Sequence, residues 1–237
     1  MILKSRYLLA GLALLSASVA NAGITLGGTR LIYVEKSKEA SILIKNDGAQ
    51  DIMIQSWLDP ESGDKDEDVP FALTPALSRL AGNKQQTLRV FYFGKGLPAD
   101  KESVFWLSVQ EIPQKAEGNT LQIALRQRIK LFFRPANLVG SPQDAISGLK
   151  WQTLVERDQF YLQVTNNSPY FVSFGEAKVV IGGKSYPLIS DMLAPNSTSK
   201  FLARGAPSSL TPGVMTVEFF NINDYGAPVN NKVSISG

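Results

Sequence analysis

Past residue 22, no segment keeps apolar residues at helical spacing over several turns. The chain offers short runs rich in β-branched and aromatic residues, each closed by a turn cluster. ASILIK precedes Asn46-Asp47-Gly48, DIMIQSW precedes Asp59-Pro60, TLRVFYF precedes Gly94, and SVFWLSVQEI precedes Pro113. Short strands repeated between turns predict an all-β fold of sandwich type, not an α/β enzyme fold.

Residues 1–22 are set apart from this pattern. Lys4 and Arg6 precede the apolar run YLLAGLALLSASV, and Ala20-Asn21-Ala22 places small residues at cleavage spacing, which together predict a secretory signal peptide. The run is shorter than the roughly 20 apolar residues of a membrane-spanning helix. Its removal leaves 215 of the 237 residues and takes two of the 24 basic side chains, so 22 remain against 21 acidic ones. A net charge of +1 gives no support to a nucleic-acid or polybasic membrane role. The chain has no cysteine, so an exported fold relies on packing and not on disulfides. It has no histidine either, which excludes histidine general bases, Ser-His-Asp and Cys-His nucleophiles and the usual zinc sites.

The length suits two domains. The run LQIALRQRIKLFFRP, 121–135, ends at a proline that has no ladder donor, and the small, polar ANLVGSPQDA follows. We place a first domain over 23–135, a linker over 136–145 and a second domain over 146–237. A second strand series follows in QFYLQV, FVSF, the hairpin AKVVIGGKSYPLI, TSKFLA and GVMTVEFFNI. Leu80-Ala81-Gly82-Asn83 ahead of TLRVFYF is echoed by Leu193-Ala194-Pro195-Asn196 ahead of TSKFLA, a short likeness that coincidence also explains.

The run 121–134 combines an apolar face with a comb of cations. Leu121, Ile123, Leu125, Ile129, Leu131 and Phe133 share one side, and Gln122, Ala124, Arg126, Arg128, Lys130 and Arg134 the other, with Phe132 an apolar exception. Alternation alone fits an ordinary half-buried strand. A single strand of about 14 residues exceeds the usual 5–6, so its first half can overrun its own sheet. Leu121, Ile123 and Leu125 would then form an apolar edge of the kind that accepts a partner's strand or groove.

Several motifs, in this order behind a signal sequence, resemble the periplasmic pilus-assembly chaperones of the PapD-like family. They are TRLIY at 29–33, LPADKESVFWLSVQEIP at 97–113, the comb run at 121–135, NNSPYFV at 166–172 and NDYG at 223–226. Ser108, where the family commonly has asparagine, and Gln114, where it has a small residue or proline, depart from the pattern. The short stretch QKAEGN and the lack of a cysteine pair resemble the short-loop subclass. The resemblance implies two immunoglobulin-like β-sandwich domains set at an angle and a periplasmic protein without enzymatic activity or cofactor. It implies pilin subunits and an outer-membrane usher as partners, and it leaves room for a self-capping dimer. By motif, Arg30 and Lys130 match the anchor for the terminal carboxylate of an incoming pilin. Leu121, Ile123 and Leu125 match the residues lent to the pilin's groove, and Glu102, Arg134 and Asp224 match an interdomain charge network.

Other signals point to simpler readings. DPESGDKDEDVP at 59–70 lacks the glycine placement and closing glutamate of a calcium loop, so a solvated loop is expected. GITLGG does not join a strand to a helix as a phosphate cradle would. Aromatics in RVFYF and KLFFR fit a core better than a nucleic-acid stacking face. The two rival functions are an exported Ig-like adhesin or carbohydrate binder and a hydrolase using paired carboxylates. The sequence shows no carboxylate constellation for the second, and the anchor and comb speak against the first.

Overall fold

The computed structural model describes residues 23–64, 67–114, 118, 123–208 and 213–236, and Leu121 and the signal segment lie outside them. The first domain is built from β1 (Ile24–Leu26), β2 (Arg30–Val34), β3 (Ala40–Asn46), β4 (Ile52–Pro60), β5 (Phe71–Thr74), β6 (Leu77–Leu80), β7 (Gln85–Tyr92), β8 (Ser103–Ile112) and β9 (Arg126–Arg134). These form two sheets, ordered β1-β3-β7-β5 and β2-β9-β8-β4-β6. Their inward residues enclose one core that includes Ile42, Ile44, Leu88, Leu107, Leu131 and Phe133.

A six-residue helix, α1 (Pro142–Ser147), follows. Sequence periodicity does not reveal it because six residues carry no periodic stripe, yet its end signals are present. Ser141 accepts a hydrogen bond from the Asp144 N–H, proline opens the helix, and Asp144 lies in the first turn. Ala145 and Ile146 pack into the second core, so the helix hands the chain over from linker to domain.

The second domain contains β10 (Lys150–Glu156), β11 (Gln159–Asn166), β12 (Phe174–Ile181), β13 (Lys184–Ile189), β14 (Ser197–Ala203), β15 (Val214–Ile222) and β16 (Pro228–Ser236). All seven join in the order β10-β11-β14-β13-β12-β15-β16. Only two residue pairs, Leu188 with Ala203 and Ile189 with Leu202, link β13 to β14. At that narrow seam the sheet folds back on itself and encloses a core including Phe160, Leu162, Phe201, Val217 and Phe219. The two domains are therefore β-sandwiches, the second closed part-way toward a barrel. The strand expected at FVSF is reduced: Val172 makes an isolated bridge to Leu193, and regular pairing starts at Phe174.

The echo between the two halves is structural. Asn46 and Asn166 each end a strand and are each 1% exposed. Asn46 Nδ2 donates to the carbonyls of Gln50, Leu80 and Ala81, and its Oδ1 accepts from the Gly48 N–H. Asn166 Nδ2 donates to the carbonyls of Tyr170 and Ala194, and its Oδ1 accepts from the Ser168 N–H. Asn83 and Asn196 then both adopt positive φ, at 58° and 50°, and their N–H groups close onto the carbonyls of Gly48 and Ser168. One buried amide thus pins two loops in each domain. Replacing it with alanine strands several buried carbonyls and an N–H, at about 1–3 kcal/mol per unsatisfied group. Asn46→Ala and Asn166→Ala are each expected to lose about 2–4 kcal/mol of stability in urea unfolding, and a loss below about 0.5 kcal/mol would contradict the role.

Candidate functional site

Strand β9 begins at Arg126, so of the run expected over 121–134 the described residues 123–125 lie ahead of the regular strand. Its odd face builds the first core: Ile129, Leu131 and Phe133 are buried. Its even face is where the cations go. Arg126 lies over the Trp57 ring at 4.9 Å, Arg128 over Trp106 at 4.4 Å, and Lys130 over Trp106 at 5.4 Å. Tryptophan faces attract cations, so the row of like charges on one strand is supported by aromatic rings beneath it. Ser108 keeps the local network intact, accepting from Arg126 Nη2 at 3.0 Å and donating to Asp59 at 3.2 Å. Phe132, the apolar exception, is buried and meets Phe171 of the second domain at 5.8 Å between centroids.

Arg30 and Lys130 are register partners in the parallel β2–β9 pair, which brings the two expected anchor cations side by side. Arg30 Nη1 donates to the Ile222 carbonyl at 2.9 Å and to Ser173 Oγ at 3.4 Å. Its Nε is buried without a hydrogen-bond partner among the described residues. Burial lowers its pKa, and the charges of Asp224 and Glu102 pull it back up. Lys130 Nζ contacts Met192 Sδ at 3.1 Å and has no ion pair among the described residues. Burial lowers its pKa too, opposed by Asp191 and Glu61 and reinforced by Arg30. Two half-buried cations side by side are an arrangement that can hold an anion. Arg30 also lines an interdomain hollow of about 250 Å³ with Phe132, Arg134, Phe171 and Asp224, and Lys130 stands outside it. Neither Met192, Ser173 nor the Ile222 carbonyl was foreseen, because each comes from the second domain at a separation that sequence spacing does not report.

Arg134 joins the expected charge network. Its Nε donates to Glu102 Oε1 at 2.6 Å, and its Nη1 and Nη2 grip both oxygens of Asp224 at 2.6 and 2.9 Å. Glu102 Oε2 accepts from the Phe171 N–H at 2.8 Å, and its own N–H donates to the Pro169 carbonyl. Burial pushes the Glu102 carboxyl above its usual range, with Arg134 and the Phe171 N–H opposing. Burial also works against the Arg134 charge, but Asp224 and Glu102 outweigh it and hold its pKa above the ordinary guanidinium value. The NDYG turn delivers Asp224: Asn223 Oδ1 accepts from the N–H groups of Tyr225 and Ala227. Gly226 has φ +79°, and a Cβ there would lie 2.1 Å from Thr29 Oγ1, so the turn meets the first domain only with glycine.

The expected lent residues divide. Ile123 and Leu125 precede the strand and are 67% and 40% exposed, while Leu121 lies outside the described residues. Leu125 is tied at its backbone, its carbonyl accepting from the Glu111 N–H at 3.0 Å and its N–H donating to Glu111 Oε1 at 3.3 Å.

Residues 23–139 match the family described as "Pili and flagellar-assembly chaperone, PapD N-terminal domain", and residues 144–233 match "Pili assembly chaperone PapD, C-terminal domain". The chain belongs to the PapD-like pilus-assembly chaperones. Among its relatives in this family is the probable fimbrial chaperone YadV of Escherichia coli K12, 36% identical over 94% of each chain. The chaperone protein FimC of the same strain is 36% identical over 93% of this chain and 89% of its own. The crystal structure of YadV superposes with a TM-score of 0.79, covering 90% of this chain and all of that one. The SafB chaperone, solved in complex with the SafA pilin of Salmonella enterica, is 25% identical with a TM-score of 0.75, over 93% of this chain and 98% of that one.

In this PapD-like chain the charge network makes an asymmetric prediction. The Glu102 side chain is 2% exposed and that of Asp224 is 37% exposed. Arg134→Ala therefore leaves the buried Glu102 carboxylate without its cation and is expected to cost about 3–5 kcal/mol, whereas Asp224→Asn costs about 1 kcal/mol or less. Urea unfolding of both variants tests this, and equal losses would contradict it.

Proposed function

We propose that the exported mature chain acts in the periplasm, capturing pilus subunits by lending them a strand and passing them to an outer-membrane usher. The observation that carries this is the edge of β9 ahead of Lys130. Strand β2 pairs with β9 only from Lys130 to Arg134, so residues 126–129 have no strand partner on that side among the described residues. The exposed Ile123 and Leu125 continue the same edge. An incoming strand would extend the sheet there, with its terminal carboxylate against Arg30 and Lys130.

Magnitudes divide the work. Each charged hydrogen bond at the anchor contributes about 1.5–3 kcal/mol, and burial of Leu121, Ile123 and Leu125 contributes about 5–9 kcal/mol together. The apolar residues give strength, and the anchor sets register, because a slip of one residue turns every side chain to the wrong face. Glu102, Arg134 and Asp224 hold the domains in the orientation that exposes the anchor. Nothing in this function breaks a covalent bond, so we assign no catalytic residue and no cofactor.

Lys130→Ala is expected to lose pilin binding while its circular-dichroism melt stays near that of the wild type. A pull-down of both proteins from their native periplasm, with mass spectrometry of what copurifies, makes the comparison. A small β-rich pilin held by the wild type alone supports the anchor. No pilin with the wild type, while pilin genes are expressed, ends the capture reading.

The anchor also predicts a pH dependence. Burial lowers the Lys130 pKa in the unbound protein, and a bound carboxylate raises it again. Binding is thus complete below the unbound value and declines as pH rises through the bound value. Calorimetry with a peptide copying the last residues of a pilin, between about pH 7 and 10, should show this decline, and the same peptide ending in an amide should bind weakly throughout.

A further inference from the structure

Strand β8 turns Phe105, Leu107, Val109 and Glu111 toward the core in succession, so the last inward side chain is a carboxylate. Glu111 is 6% exposed. Its Oε1 accepts from the Leu125 N–H, and its Oε2 has no hydrogen-bond partner among the described residues. Burying half a carboxylate unpaired is costly, so the position calls for a donor.

The group beside it is Gly23. A Cβ on Gly23 would lie 1.7 Å from Glu111 Oε2 and 2.5 Å from its Cδ, so the carboxylate reaches into the space a side chain at this position would take. The glycine is held in place: its carbonyl accepts from the Asp47 N–H at 3.0 Å, and the next carbonyl, of Ile24, accepts from Gln127 Nε2 at 2.5 Å. One bond from that Cα is the nitrogen. In the precursor it is an amide with a single N–H and no charge. Cleavage after Ala22, which the Ala20-Asn21-Ala22 spacing predicts, converts it to an ammonium with three donors.

We propose that Glu111 is the receptor for the α-ammonium that signal-peptide removal creates on Gly23. The inference rests on the export reading. The buried pair ties β1 to β8, and through Glu111 Oε1 it reaches the Leu125 backbone, the root of the segment bearing the exposed Ile123 and Leu125. Processing of the N-terminus thereby braces the edge that binds the pilin, and unprocessed chains lack the brace.

The test begins with the N-terminus of full-length protein recovered from the periplasm, read by mass spectrometry. Melting temperatures are then compared for chains starting at a free Gly23, at an Nα-acetylated Gly23, and with one extra alanine ahead of it, each with Glu111 and with Glu111→Gln. With Glu111, blocking or extending the amine should lower the melting temperature by about 4–10 °C. With glutamine, the three forms should melt together. Equal melting of free and acetylated forms in the wild type overturns the pair without needing the variant to fold, and an equal loss in the glutamine background also overturns it. An exported chain that starts elsewhere than Gly23 overturns the proposal through its processing premise. One that starts at Gly23 but melts alike in all forms leaves export standing and removes Glu111 as the receptor.

Discussion

Strand β9 is packed on both faces, and the rest of the molecule is arranged around that demand. Its odd residues, Ile129, Leu131 and Phe133, complete the first core. Its even residues leave that core and face other partners in turn: two tryptophans, Met192, Phe171, and the carboxylates of Glu102 and Asp224. A strand with one solvated face would tolerate substitution on that face. Here the even positions have neighbours of their own, and those nearest Arg134 include groups of the second domain. One backbone segment thus carries the cations and also meets the second domain.

The same strand changes character along its length. Where β2 pairs with it, from Lys130 onward, its backbone groups are satisfied on both sides. Ahead of Lys130 it pairs, among the described residues, only with β8, and Leu125 is held to Glu111 by two hydrogen bonds while the Ile123 and Leu125 side chains are exposed. An unpaired edge is ordinarily a liability. Here it lies next to two half-buried cations, so a strand added at that edge would gain backbone pairing and bring its end close to positive charge.

The two sandwiches share a construction that their different sheet closures conceal. In each, a buried asparagine at a strand end gathers carbonyls from two loops, and a second asparagine at positive φ completes the corner. An amide suits this because it offers two donors and an acceptor without a charge to desolvate.

Sequence alone determined the all-β class, because period-two apolar runs between turn residues cannot form amphipathic helices, and it located most of the longer strands, SVFWLSVQEI with both ends correct. Motif likeness singled out Arg30, Lys130, Glu102, Arg134 and Asp224 as candidates, because the segments that carry them are locally recognisable; folding then sets Arg30 beside Lys130 and Arg134 between Glu102 and Asp224. Sequence reading extended the comb strand over residues 123–125, where alternation persists but, among the described residues, no strand on the β2 side continues the ladder. Tertiary structure alone decided what each charge meets: the Met192 thioether at Lys130, the Ile222 carbonyl at Arg30, and Gly23 at Glu111. Those contacts join residues 62 to 192 positions apart in the chain, and local pattern carries no record of which distant surfaces folding will press together.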